Sequence, residues 1–249
     1  MTTKGTALVT GASSGIGAAV VRKLTANGWE VHALARRGSR LQALANETGC
    51  TPHAIDIRDG AALETLMADL TPDLLVNNAG LGAGITGLVT ATRDEVAQTI
   101  DTNVTAVLEL LRLTLPGMIA RGRGHVVNLG SVSGLYPIVS VIYGASKGAV
   151  RLIGQNLRIE LRGTGVRVTE ISPGRVSTEF YDAAISDPAT RDRLKTTGIR
   201  ELSPGDIADA ILYAVSAPAH VNVSTIELQP VEQTYGGVQF DRVDWEASE

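Results

Sequence analysis

Tyr143 and Lys147 form the only Tyr-x-x-x-Lys pair in this 249-residue chain, and a phenol four residues ahead of an amine can act as a proton-transfer unit. On a helix, positions i and i+4 share a face, so the two groups would stand side by side. A free phenol has a pKa of about 10, too high for efficient work near neutrality. A neighbouring ammonium, with the cation of a bound oxidised cofactor, favours the phenolate and brings the group nearer operating pH, where a general acid or base is most effective. Tyr143 could then protonate a carbonyl oxygen during reduction and deprotonate the alcohol during oxidation. Lys147 could also hydrogen-bond the ribose of a bound cofactor. Ser131 follows the apolar run Val126–Leu129, and its hydroxyl could donate to the same oxygen as charge develops there. Ser133 is its local rival. Asn103 ends the helical stretch Val96–Thr102 and is expected to expose a carbonyl or amide that orders a water between Lys147 and solvent. A plain turn serine and a helix-terminal asparagine are the competing readings of Ser131 and Asn103.

A second feature gives the proton a reason to move. Thr10-Gly11-Ala12-Ser13-Ser14-Gly15-Ile16-Gly17 lies between an apolar run and a helical period. Gly11 permits a tight turn. Gly15 and Gly17 let the backbone approach a pyrophosphate, and Ser13, Ser14 and Ile16 fall in the same phosphate-facing turn. At the end of the second apolar run, where an NAD site usually carries an acid, Ala35 is followed by Arg36 and Arg37. A guanidinium grips a 2′-phosphate bidentately, so NADP(H) is the expected dinucleotide. A solvated basic turn is the competing reading. Asp56 and Ile57 follow a further run and could meet the adenine, with a helix cap as the competing reading of Asp56. Asn78, Ala79 and Gly80 put small residues where a wall of the nucleotide pocket would stand.

The elements that must position these residues alternate. Ala7–Thr10, Val31–Ala35, Leu74–Asn77, Val126–Leu129 and Val166–Ile171 read as strands, with a weaker one at Pro52–Asp56 and a last one at Ile226–Gln229. Most are continuously apolar, as strands covered on both faces must be. Helical stretches are expected at Gly15–Asn27, ended by Gly28, and at Val104–Ala120, Tyr143–Arg162 and Gly205–Ser216. Val104–Ala120 is apolar nearly all round, which predicts burial against the sheet on one side and against a second subunit on the other. The segment Arg175–Pro204 breaks the rhythm and reads as a long mobile excursion. The alternation predicts one α/β domain spanning 1–249, a doubly wound parallel sheet in three layers with right-handed crossovers.

Composition narrows the function. Hydrophobic residues at 44% against 19% charged support a sizeable core and argue against disorder. A net charge of −4 without basic runs makes nucleic acid a poor partner. One cysteine, Cys50, excludes an internal disulfide and a cysteine metal cluster, no metal site is expected, and the thiol fits a reducing cytoplasm. The N-terminus reaches the first strand too soon for a signal peptide, and no apolar run is expected to span a bilayer.

Taken in order, Thr10–Gly17, Asn77–Gly80, Asn103, Ser131, Tyr143/Lys147 and Pro173-Gly174-x-Val176-x-Thr178 resemble the short-chain dehydrogenase/reductase superfamily over almost the whole chain. The resemblance implies a Rossmann-type oxidoreductase dependent on NAD(P), with an Asn–Ser–Tyr–Lys site. It implies that Pro173, Gly174, Val176 and Thr178 line the nicotinamide, with Thr178 near the carboxamide. It further implies that 175–204 forms a substrate lid and that subunits assemble as homotetramers, or as homodimers, through Val104–Ala120 and Tyr143–Arg162. A narrower likeness, carried by Leu202–Ala208, Ala217–Asn222 and Glu227–Gly237, is to NADP-dependent dehydrogenases of serine-like and small 3-hydroxy acids; reductases of aldehydes in secondary metabolism end similarly. In the lid, Phe180 and Tyr181 could wall a pocket. Arg191, Arg193, Lys195 or Arg200 could meet a carboxylate, with a solvated helix face as the competing reading. The tail, about 230–249, could dock on a neighbouring subunit or lie loose. A catalytically silent NADP(H)-sensing or scaffold protein is the alternative from another class.

Overall fold

The computed structural model describes residues 4–138, 140–185, 187–234, 240–243 and 245. Seven parallel strands form one sheet in the order β3-β2-β1-β4-β5-β6-β7. They are β1 Thr6–Thr10, β2 Glu30–Ala35, β3 Thr51–Ala54, β4 Leu74–Asn77, β5 Gly124–Leu129, β6 Val166–Pro173 and β7 Thr225–Leu228. The order reverses between β1 and β4, where a crevice opens beyond the carboxyl ends of the strands.

Alternate residues of the five inner strands feed two cores. Val9, Val31, Val76, Val127 and Ile171 face α1 (Gly15–Ala26), α2 (Gly38–Thr48) and the last helix, α9 (Pro204–Ser216). Leu8, Leu34, Leu75, Val126 and Val168 face α3 (Gly60–Asp69), α5 (Ala106–Ala120) and α6 (Val141–Glu160). The expected three-layer, Rossmann-type doubly wound domain is what forms. Helices α2 and α3 are additions to the sequence reading. Each buries only two side chains, Leu41 with Leu44 and Leu63 with Met67, so their apolar period is faint.

Two expectations need correction. Between α4 (Arg93–Ile100) and α5 the chain passes through one π turn, Asp101–Thr105, without a break. The resulting rod, Arg93–Ala120, has 28 residues and is long and apolar enough by composition to cross a bilayer. The sequence reading split it at Asn103 and so missed its length. Here Ala106, Val107, Leu110, Leu111 and Met118 of the rod pack on the sheet. The second concerns Arg175–Pro204, where the sequence reading placed no element. It carries α7 (Phe180–Ala184) and α8 (Pro188–Lys195), and a parallel bridge between Val176 and Leu202 ties its neck.

Candidate active site

The glycine turn is built by close approach. A Cβ on Gly17 would lie 2.4 Å from the Gly11 carbonyl oxygen and 2.6 Å from Asn78 Nδ2, so only glycine fits there. Gly11 and Gly15 have φ of +67° and +51°, the left-handed region that glycine enters without cost. Asn78 holds the turn from below: its Nδ2 donates to Thr10 O at 2.8 Å, while Asn78 N and Ala79 N both donate to Thr10 Oγ1 at 3.0 Å. Ser14 precedes α1 without capping it through its side chain, and no acid stands in the first turn. The helix therefore presents its amino-terminal N–H groups to an anion.

A cavity of about 1100 Å³ runs from this turn to Tyr143. Its walls include Gly11, Ser13, Ser14, Gly15, Ile16, Arg36, Arg37, Asp56, Ile57, Asn78, Ala79, Gly80, Ser131, Tyr143, Lys147, Pro173, Gly174, Val176 and Thr178. These are all the expected cofactor and catalytic residues but two. Gly17 lies beneath the turn and acts by letting it close. Asn103 is buried behind the wall.

At the catalytic end, Tyr143 is partly buried, and loss of water around it pushes the phenol up, against a downward pull from Ser131. The expected lowering combines Lys147 with a bound nicotinamide cation; the protein's own groups, taken by themselves, raise the phenol. The Lys147 ammonium stands 5.8 Å from the Tyr143 ring centroid and spends a hydrogen on the Leu129 carbonyl at 2.6 Å. Burial brings Lys147 itself down to about 8, against an opposing pull from Glu170. Ser131 Oγ also accepts from Ser133 N at 3.1 Å.

Asn103 is not exposed as expected: its relative accessibility is 1%. Its Oδ1 accepts from Leu81 N, and its Nδ2 donates to Leu81 O and to Ser146 Oγ, at 2.8, 2.8 and 2.9 Å. The side chain is spent on clamping the loop after Gly80 to α6, so its amide is not the exposed group expected. It sits in the π turn, a geometry found often at functional sites.

At the adenine end, Asp56 lines the cavity, but Arg58 occupies its carboxylate through Nε at 3.1 Å and Nη2 at 2.7 Å and holds it down to about 2. The helix cap in this stretch is Asp59, which accepts from Ala62 N. Arg36 lines the cavity, and its guanidinium makes no hydrogen bond to the described residues. Arg37 donates to Ser13 Oγ and Ser14 Oγ.

The opposite wall comes from 175–204 and the tail. Phe180 packs against Tyr143 with ring centroids 5.2 Å apart, and Tyr181 meets Phe180 edge-on at 5.4 Å. Of the four cations considered for a carboxylate, Arg191 and Lys195 pair with Asp182, and Arg200 lies over the Trp245 ring. Arg193 lines the cavity. The described part of the tail folds onto its own subunit. Glu232 accepts from Arg200 N at 2.6 Å and from Val243 N at 2.8 Å, and Phe240 and Gln233 reach the cavity. Residues 235–239, 244 and 246–249 lie outside the described part. Sequence reasoning missed Arg40, Glu179, Gln233 and Phe240 as cavity residues. Arg40, one turn beyond Arg37, was accessible to helical spacing; the others arrive by tertiary folding and leave no local signal.

Comparison with known proteins agrees with this geometry. The family model for short chain dehydrogenases matches residues 5–189. The NADP-dependent 3-hydroxy acid dehydrogenase YdfG of Salmonella typhi is 40% identical over 244 residues, covering 94% of this chain and 98% of that protein. The serine 3-dehydrogenase of Agrobacterium fabrum is 38% identical over 246 residues, covering 96% and 98%. Among solved structures, the closed form of a serine dehydrogenase complexed with NADP+ superposes with a TM-score of 0.89 at 38% identity, over 96% of this chain and all of that one. The chain belongs to the short-chain dehydrogenase family and is an oxidoreductase acting on CH–OH groups.

Proposed function

We propose that the protein is an NADP(H)-dependent dehydrogenase of small 3-hydroxy acids, interconverting the alcohol and its carbonyl. The observation that carries this reading is the continuous cavity joining the glycine turn and Arg36 to Ser131, Tyr143 and Lys147. The glycine turn and the α1 amino terminus would hold the pyrophosphate, Arg36 and Arg37 the 2′-phosphate, Asp56 and Ile57 the adenine, and Pro173–Thr178 the nicotinamide. When bound, NADPH supplies the hydride. Ser131 donates to the substrate oxygen, Tyr143 delivers or removes the proton there, and Lys147 holds the cofactor ribose. Asn103 positions the wall beside Lys147 rather than touching substrate. The segment 175–204 acts as the lid, with Phe180 and Tyr181 over the reacting carbon.

Arg193 is the cation we assign to the substrate carboxylate, because it lines the cavity while Arg191, Lys195 and Arg200 are engaged elsewhere. Exposed apolar residues on α5 and α6, with Leu108 at 48% and Ile159 at 66%, support a homotetramer built through these helices. We place the protein in the cytoplasm, in keeping with its one cysteine, a buried free thiol.

NADPH absorbance with a panel of 3-hydroxy acids, 3-oxo acids and neutral ketones tests the reading. Arg193→Gln should raise KM for the acids about tenfold and leave neutral ketones unchanged, the difference expected for loss of one charge-assisted contact. Turnover of neutral ketones alone, with the acids inert in the wild type, would replace the hydroxy-acid assignment by a general carbonyl reductase.

A further inference from the structure

Glu179 reaches across the mouth of the dinucleotide groove. Its Oε2 accepts from Arg37 Nη1 at 3.1 Å and from Arg40 Nη1 at 2.6 Å. The partners stand 142 and 139 residues away in sequence, so only the fold brings them together. All three side chains line the cavity. The same Arg37 also donates to the Ser13 and Ser14 hydroxyls, which belong to the glycine turn. Beside it, the Arg36 guanidinium makes no hydrogen bond to the described residues and lines the same cavity. The adenosine end of the groove is therefore a basic cup with two serine hydroxyls at its floor, and an anionic side chain of the protein's own is already inside it. Thr178, one residue earlier, lies against the glycine turn, 3.3 Å from where a Gly15 Cβ would stand, which fixes the reach of Glu179.

A phosphate monoester carries about −1.5 to −2 charges at pH 7 and takes guanidinium edges in pairs. A carboxylate brings one charge to the same edges. Guanidinium hydrogens directed at Glu179 reach a phosphate only by exchange. We propose that Glu179 is a specificity-determining residue whose carboxylate competes with the cofactor 2′-phosphate for Arg37 and Arg40. Selection between phosphorylated and unphosphorylated dinucleotides is then an exchange of one anion for another. An unphosphorylated dinucleotide leaves the Glu179 contacts in place and gains nothing from the cup. The inference rests on the assignment of Arg36 and Arg37 to the 2′-phosphate.

Calorimetric titration of 2′,5′-ADP and of ADP isolates this end of the groove and needs no turnover. The three side chains are half exposed, at 44, 47 and 49%, so each ion pair is weak. Glu179→Gln should therefore tighten 2′,5′-ADP by about fivefold while ADP changes less than twofold. Arg36→Ala, measured alongside, should weaken 2′,5′-ADP and spare ADP. An unchanged ratio of the two dissociation constants in Glu179→Gln, or weaker binding of 2′,5′-ADP, overturns the exchange, because a plain structural strut would affect both ligands alike. If Arg36→Ala also leaves the ratio unchanged, the arginine assignment itself fails; if only Arg36→Ala moves it, the exchange alone fails.

Discussion

The two walls of the active-site cavity are held together by different means. The floor, from the glycine turn to Tyr143 and Lys147, is set by backbone: parallel strands, a turn that only glycine can make, and two residues one helical turn apart. The roof, from Arg175 to the tail, is set by side chains bonding over long sequence separations. Arg175 shows the contrast best. Its guanidinium bonds Glu201 Oε1 at 3.0 and 2.8 Å, Tyr181 Oη, and Leu194 O at 2.9 Å, and its backbone N donates to Gln233 Oε1 at 2.8 Å. One side chain thus ties α7, α8 and the strand end, and its own backbone fastens the tail. The floor should carry the chemistry and tolerate little change; the roof should govern access and be separable from it.

The largest expected effect tests the floor. Tyr143→Phe keeps the ring against Phe180 and removes only the hydroxyl. Turnover should fall about 10³-fold, within the range for loss of a positioned general acid, with NADPH affinity changed less than twofold. Stopped-flow hydride transfer and fluorescence titration of NADPH measure the two separately. Retained turnover would remove Tyr143 from the mechanism and leave the floor as a binding surface only.

Next in size is a cut in the roof. Arg175 and Glu201 keep only 14% and 16% side-chain exposure, so breaking this pair leaves a carboxylate poorly solvated. Arg175→Met should cost the closed segment about 3 kcal/mol. That predicts a rise of roughly tenfold to a hundredfold in substrate KM, faster proteolysis between Val176 and Leu202, and NADPH affinity nearly unchanged. If cofactor affinity falls as far as substrate affinity, floor and roof are one unit and the division fails.

This division also explains what could be read from the amino-acid sequence. All seven strands follow from short, mostly continuous apolar runs and the Tyr143–Lys147 face from a period of 3.6, and Gly11, Gly15 and Gly17 announce their turn by spacing alone. Asn103 was legible as a residue but not in its role, because Leu81 and Ser146, which consume its amide, come close only in the folded chain. Asp56 was placed correctly at the cavity, yet its partner Arg58, two residues on, was overlooked. In the roof the residue types were visible and their connections were not. Nothing local says that Glu179 will meet Arg37, that Glu232 will hold Arg200, or that Phe240 will line the cavity. Of the tail, the described Gln233 and Phe240 line the cavity, and nothing in their neighbourhood in the sequence announces it.

The smallest expected effect is a pH dependence that pits the two properties of the floor against each other. Lys147 falls from the usual lysine value to about 8, chiefly by burial. Between about 8 and the unfolded value near 10.5 the folded state binds fewer protons than the unfolded one. Stability against urea therefore rises with pH across that window, relative to Lys147→Met, as the cost of a buried charge is relieved. Cofactor binding should move the other way. Below pH 8 the ammonium gives the ribose a charge-assisted hydrogen bond; above it a neutral amine donates more weakly. NADPH dissociation constants should rise about threefold from pH 7 to pH 9 in the wild type and stay flat in Lys147→Met. Arg175→Met should keep the wild-type profile, since the roof contributes no group to this titration. A flat profile in the wild type would mean that Lys147 stays charged throughout and that Glu170, its buried neighbour, outweighs the loss of water around it.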